Sequence, residues 1–205
     1  MKKILFILLV FLCSNLQAQF MALPGIKAGA NYATLYGDGE GKGIIGFHIG
    51  GIAEIQIRHN YFFQTEFLYS MQGANYEIVN EMADYTNKTT LHYLNVPLIL
   101  KAYLNGYEDG WFLEVGPQIG FLVRGKQTID GTYNGDPIYE EADFSDSYSA
   151  TDLAACIGIG NKVYDSNFFF SVRYNHGLTD INENEDFDLK NYNGTIQVSV
   201  GLIFD

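Results

Sequence analysis

The feature that most constrains this chain is the strict alternation over residues 192–205, YNGTIQVSVGLIFD. Ile196, Val198, Val200, Leu202 and Phe204 fall on one face. Thr195, Gln197, Ser199 and Gly201 fall on the other, with Ile203 as its only apolar member. Side chains of an extended strand point alternately to opposite sides, so this stretch reads as a β-strand with one greasy and one polar side. Two questions then decide the fold: whether the pattern repeats along the chain, and whether the chain is exported.

The pattern repeats seven times before this strand. Residues 25–33 set Ile26, Ala28, Ala30 and Tyr32 against Lys27, Gly29 and Asn31. Residues 44–58 set Ile45, Phe47, Ile49, Ala53, Ile55 and Ile57 against His48, Glu54, Gln56 and Arg58. Residues 61–76 set Tyr61, Phe63, Phe67, Tyr69 and Met71 against Gln64, Glu66, Ser70 and Gln72. Residues 89–104 place Leu94, Val96, Leu98, Leu100 and Ala102 opposite Asn95, Lys101 and Tyr103. In residues 111–126, Trp111, Leu113, Val115, Ile119, Phe121 and Val123 oppose Glu114, Gln118, Arg124 and Lys126. Residues 150–163 set Leu153, Ala155, Ile157 and Ile159 against Asp152, Gly158, Gly160 and Lys162. Residues 168–178 set Phe168, Phe170, Val172 and Tyr174 against Ser171, Arg173 and Asn175.

Eight segments result, joined by connections that alternate long and short. The long ones cover residues 34–43, 77–88, 127–149 and 179–191. An even number of strands with this alternation is the layout of a membrane barrel with short turns on one side and longer loops on the other. The expected fold is all-β, an eight-stranded antiparallel up-and-down transmembrane β-barrel, apolar faces outward. A soluble lipocalin-like barrel is the competing fold and would invert the faces. Tyr32, Tyr69, Trp111, Phe168 and Phe204 stand near segment ends, where aromatic girdles belong. Pro97 and Pro117 cannot donate to a ladder, so a bulge or local bend is expected between their strands.

Export follows from the start of the chain. Lys2 and Lys3 precede an uncharged run over residues 4–12, and Ala18 offers a small residue for cleavage. This is the layout of a secretory signal peptide, residues 1–18, ahead of a barrel domain over residues 19–205. Leu12 is bulky where a lipoprotein needs a small residue before Cys13. After cleavage Cys156 stands alone, so no intramolecular disulfide forms, and four scattered histidines suggest no metal site. The net charge of −12 becomes −14 without the two leader lysines, which argues against a nucleic-acid partner. No later stretch is apolar enough to cross a membrane as a helix.

The ordered set of short motifs resembles the PorT-like outer-membrane β-barrel family, known loosely as porin-family proteins. The residues that carry it are GIKAGANYATL at 25–35, FFQTEFLYSMQG at 62–73, LHYLNVPLILKAYL at 91–104, GWFLEVGPQIGFL at 110–122, DLAACIGIG at 152–160 and VRYNHGLTDI at 172–181. The resemblance implies a small barrel in the outer membrane of a Gram-negative cell envelope and does not imply a substrate. Some members are associated with secretion machinery, but no residue here carries that role over.

An eight-stranded barrel is just wide enough for its side chains to fill. The inward charges Lys27, Glu54, Arg58, Glu66, Lys101, Glu114, Arg124, Asp152 and Arg173 are therefore expected to pair as a packed polar core. Glu54, Glu66 and Glu114 could alternatively form an acid/base set, but nothing in the sequence places them together. His176 and Ser171 lie on opposite faces, and His48 has no serine near it in sequence. No catalytic, cofactor-binding or metal-binding residue is assigned, and no cofactor is expected. The long connections hold 16 of the 24 acidic residues, which reads as solvated loops or, more sharply, as divalent-cation sites against phosphorylated lipid. The functional expectation is a non-enzymatic structural or interaction role. Its expected partners are outer-membrane lipid and lipopolysaccharide, the barrel assembly machinery during insertion, and proteins meeting the outer loops. A narrow solute channel is the second reading and a lipid-modifying enzyme the third.

Overall fold

The computed structural model describes residues 22–37, 41–80, 83–105, 109–182 and 190–204. The expected signal peptide lies outside the described residues. Nine strands follow in order: β1 (Ala22–Gly37), β2 (Lys42–Arg58), β3 (Tyr61–Val79), β4 (Ala83–Tyr103), β5 (Gly110–Tyr133), β6 (Asp136–Asp143), β7 (Thr151–Lys162), β8 (Phe168–Gly177) and β9 (Asn191–Ile203). Eight of them form a closed antiparallel ring in which each strand pairs with its neighbours, and β4 with β5 completes the circuit. The two ends of the chain meet where β1 pairs β9 from Gly25↔Ile203 to Gly37↔Asn191. Among the described strands only β6 stands outside the ring, hydrogen-bonded to β5 alone.

Sidedness follows the alternation. In β8 every second residue is buried, from Phe169 to Gly177, and those between are exposed. The exposed set across the ring is apolar, including Ile45, Phe67, Ile157 and Val200, while Lys27, Gln64, Lys101, Glu114, Arg173 and Gln197 are buried inside. Hydrocarbon outside and polar groups inside is the arrangement of a transmembrane barrel, and it rules out the lipocalin-like inversion.

Two expected loops are strands. Residues 77–79 and 84–88 belong to a β3–β4 ladder that runs out to Val79↔Asp84. Within residues 127–149, β5 continues to Tyr133, turns through Asn134-Gly135 and returns as β6, ahead of a short 3₁₀ turn at Ser145–Ser147. Asn134 at φ 52° and Gly135 at φ 86° both take the positive values that a tight primed hairpin turn demands. These extensions need no greasy side because water surrounds both faces, so alternation cannot reveal them. The barrel wall is consequently lopsided: β4 and β5 span 21 and 24 residues, and β8 only 10.

Two inward assignments fail, both through bulges. Gln56 pairs Phe62 and Arg58 pairs Tyr61, so Ile57 is an extra residue and Arg58 lands outside. Tyr93 pairs Leu122 and His92 pairs Arg124, so Val123 is extra and Arg124 also points out. A bulge sets two residues against one and thereby flips the parity beyond it. Around the prolines, pairing of β4 with β5 stops after Pro97↔Gln118 and resumes at Leu100↔Val115 in the same register. Pairing of β3 with β4 has a matching gap between Thr65↔Leu98 and Leu68↔Asn95. The ladder is thus interrupted at the prolines as expected, but the register shift falls at His92/Tyr93 instead.

Deleting Val123 removes the extra residue and leaves His92 opposite Arg124. The deletion variant is expected to fold, and a cysteine at position 124 should react with a membrane-impermeant maleimide with or without it. Absence of labelling at position 124 in the undeleted chain would show that the bulge does not set this parity.

Candidate functional site

The lumen is filled in layers. At the short-turn end Ile52, Phe62, Tyr103, Phe112, Phe169 and Ile203 make an apolar floor. Its rings meet edge to face, Phe62 with Tyr103 at 5.4 Å and Tyr103 with Phe112 at 5.3 Å between centroids. The Lys101 ammonium rests on this floor, 4.1 Å from the centroid of Phe112, and is ion-paired with Glu54.

The next layer is built around Arg173 of β8. Its Nη1 and Nη2 donate to the two oxygens of Glu66 on β3, at 3.0 and 2.6 Å. Its Nε donates to Oε2 of Glu114 on β5 at 2.9 Å, and Lys27 Nζ donates to Glu66 at 3.3 Å. Together with the Lys101–Glu54 pair this makes three cations and three carboxylates, all buried. The expected pairing of inward charges therefore holds for Lys27, Glu54, Glu66, Lys101, Glu114 and Arg173. The geometry does not favour the acid/base reading. Every carboxylate of the set faces a cation, and Glu54 sits on a different cation from the other two. Satisfaction is uneven: Glu114 Oε1 and the amide of Gln197 have no partner among the described residues.

Above the charges lies a contact that sequence could not show. Asn31 Nδ2 donates to the carbonyls of Phe47 and Met71 and to Ser70 Oγ, each at 3.0 Å. Its Oδ1 therefore accepts from His48 Nδ1 at 2.7 Å, which leaves Nε2 to accept from Ser199 Oγ at 2.9 Å. Ser199 is 151 residues from His48. The connectivity is that of a nucleophile, base and orienting residue. All three are only 1% exposed, so no substrate reaches the hydroxyl, and the chain of bonds ties β1, β2, β3 and β9 together.

The outer end has a ceiling of Leu35, Ala74, Leu91, Tyr93 and Ile181, with Tyr76, Leu122 and Tyr148 against it. Asp152 sits here and not in the charge cluster, accepting from Asn193 Nδ2 at 2.9 Å and Thr179 Oγ1 at 3.1 Å.

On the outer surface, two aromatic clusters mark the upper limit of the apolar band. Tyr36 stacks on His176 and Tyr192. Tyr69 stacks on His92, and its hydroxyl lies 2.8 Å from Nδ1. Beside His92, Lys126 pairs with Glu141 at 2.7 Å and Arg124 with Asp143 at 3.7 Å, latching β6 to β5. Among the described residues no three His, Cys, Asp or Glu side chains gather as a metal site. Of the acidic residues in the long connections, Asp38, Glu40, Glu81, Glu183, Glu185, Asp186 and Asp188 lie outside the described residues.

A closed ring of eight strands, greasy outside and plugged by ion pairs within, is a small transmembrane β-barrel. The chain belongs to the outer membrane protein beta-barrel domain family, whose model matches residues 17–183. Its fold is that of Ail, the attachment invasion locus protein of Yersinia pestis, solved in complex with the heparin analogue sucrose octasulfate. The two share 15% identity at a TM-score of 0.51, over 89% of this chain and 99% of that one. Neisserial surface protein A shares 13% identity at a TM-score of 0.47, over 88% and 97% of the two chains. OprG from Pseudomonas aeruginosa shares 12% at 0.40, over 92% and 98%. No curated protein matches the chain.

Replacing Arg173 by Leu leaves Glu66 and Glu114 with only Lys27 between them, and a buried ion pair that loses one partner costs about 3–5 kcal/mol. The variant is expected to unfold at lower urea in a heat-modifiable mobility assay; an unaltered midpoint would refute the packed network. The β6 latch is pH-dependent. The hydrogen bond from Lys126 holds the Glu141 carboxyl below its usual range, and hydrogen bonds from Ser145 do the same for Asp143. Depressed carboxyl pKa values stabilise the folded form above the ordinary value of about 4, and that gain disappears as pH falls through the depressed value. Amide chemical shifts of β6 should hold steady from pH 7 to about 5 and move toward disorder at more acid pH, with the ring itself unchanged.

Proposed function

We propose that this protein is a non-conducting outer-membrane barrel whose work is done by its outer strand extensions, as an interaction surface for lipid, ligand or partner proteins. The supporting observation is the lumen, closed by an apolar floor and ceiling with a charge-balanced layer between them. A solute would have to displace both plugs and separate buried ion pairs, which weighs against the narrow-channel reading. A lipid-modifying activity would need an accessible nucleophile, and Ser199 beside His48 is walled in.

The tall wall formed by β3, β4, β5 and β6 is the natural contact surface, since it stands beyond the apolar band. Ail, a barrel of this fold, was solved with an anionic sugar bound, which fits a role in contacting anionic glycans or glycolipids. Outer-leaflet lipid and lipopolysaccharide are the first partners in this reading, and the barrel assembly machinery acts during insertion after leader cleavage. The motif order favours a PorT-like branch, without a secretion role assigned to any residue.

Planar-bilayer recording of the purified, refolded protein is expected to show no discrete conductance steps. A reproducible open level that disappears when the protein is denatured would overturn the non-conducting reading.

A further inference from the structure

We propose that Arg124 and Lys126, on the outward face of β5, hold a phosphate group of an outer-leaflet glycolipid. In this site Glu141 and Asp143 of β6 are the competing carboxylates that the phosphate displaces. The inference rests on the reading of the outer wall as a lipid contact and names its site.

Placement is the first argument. Trp111, Leu113, Val115, Pro117, Phe121 and Val123 are the exposed side chains of β5 up to the bulge, and Arg124 and Lys126 follow at once. On β4 the exposed apolar run of Leu98 and Leu100 continues through Leu94 and ends at His92. The switch occurs at the same height on both strands, because Leu94 pairs Phe121 and His92 pairs Arg124. That height is where hydrocarbon gives way to headgroups. The Val123 bulge places Arg124 there; regular alternation would have turned it into the lumen.

Charge is the second. The chain has 12 Lys and Arg and a net charge of −12. Lys27, Lys101 and Arg173 are consumed in the lumen. Yet Arg124 and Lys126 stand together on one wall, with Lys88 exposed on the neighbouring strand. A guanidinium offers two parallel donors to a phosphate, and an ammonium adds a point charge. The groups are accessible: the Arg124 and Asp143 side chains are each 58% exposed and only 3.7 Å apart. Exposed bridges of this sort contribute little stability, so a dianionic phosphate can outcompete them.

The surroundings of the two cations separate a lipid from a free anion. Phe121, Val123 and Leu94 lie directly beneath the cations, and the stacked Tyr69–His92 pair flanks them. A phosphate carried on acyl chains satisfies both surfaces at once. A soluble polyanion satisfies only the charge, and must approach past acidic outer connections.

The test uses the whole mature barrel in lipid nanodiscs or detergent, with native mass spectrometry and fluorescence titration. The probes are bis-phosphorylated lipid A, the same lipid A dephosphorylated, and sucrose octasulfate as the soluble polyanion. The expected result is preference for the phosphorylated lipid, an affinity loss of about tenfold in Arg124→Ala/Lys126→Ala with unchanged heat-modifiable mobility, and an affinity gain of a few-fold in Glu141→Gln/Asp143→Asn. If β6 served only to support the strand, the last variant would bind no better or worse, and the proposal would fall. Equal binding of both lipid forms would also overturn it. So would sucrose octasulfate binding as tightly as the phosphorylated lipid, which would make this a site for soluble polyanions. Phosphorylated lipid bound undiminished by the double alanine variant would retain lipid contact but remove it from this site.

Discussion

Hydrocarbon offers no hydrogen-bond partner to an open strand edge, so everything in this fold depends on the ring being closed. The seam between β1 and β9 supplies that closure, and sidedness follows from it. Once the ring is shut, each strand has one face against acyl chains and one against a narrow bore. Eight strands leave a bore only as wide as the side chains that line it. Polar groups placed there must find partners among themselves, and their arrangement becomes a packing problem in a cylinder.

The solution is layered because the chemistry changes with depth. Near the short turns, aromatic rings can pack on one another and still present a π-face to Lys101. In the middle, one planar guanidinium has enough donors to serve two carboxylates, which a lysine at position 173 could not do with the same geometry. Further out, neutral amides, an imidazole and hydroxyls take over. Glu114 Oε1 and the amide of Gln197, which lies opposite Arg173 in the β8–β9 ladder, have no partner among the described residues, so the charged layer itself is not fully satisfied.

Much of this was legible in the sequence, and the exceptions have definite causes. Alternation located the eight ring strands, their order and their sidedness, and it marked six of the inward charges that pair. It misplaced Arg58 and Arg124 because a single extra residue, Ile57 or Val123, leaves no mark in hydropathy. It missed the strand extensions because a ladder in water has no greasy side, although Asn134-Gly135 carried a hairpin signal of its own. The floor was half visible: Tyr103 and Ile203 were noticed at a polar parity, while Phe62, Phe112 and Phe169 sit at the same parity in their strands. Ser199 beside His48 depended on register across the seam, which no local pattern encodes.

The reach of Arg173 bears on how the molecule can assemble. Its partner Glu66 lies 107 positions earlier, on the opposite side of the bore. A half-curled sheet would leave the guanidinium with Glu114 alone on one wing and Glu66 with Lys27 alone on the other, and the bidentate pair that joins them unmade. Neutralisation and curling therefore have to arrive together, and partly zipped intermediates are penalised by their own electrostatics. The same clasp that quiets the finished bore makes its formation an all-or-none event.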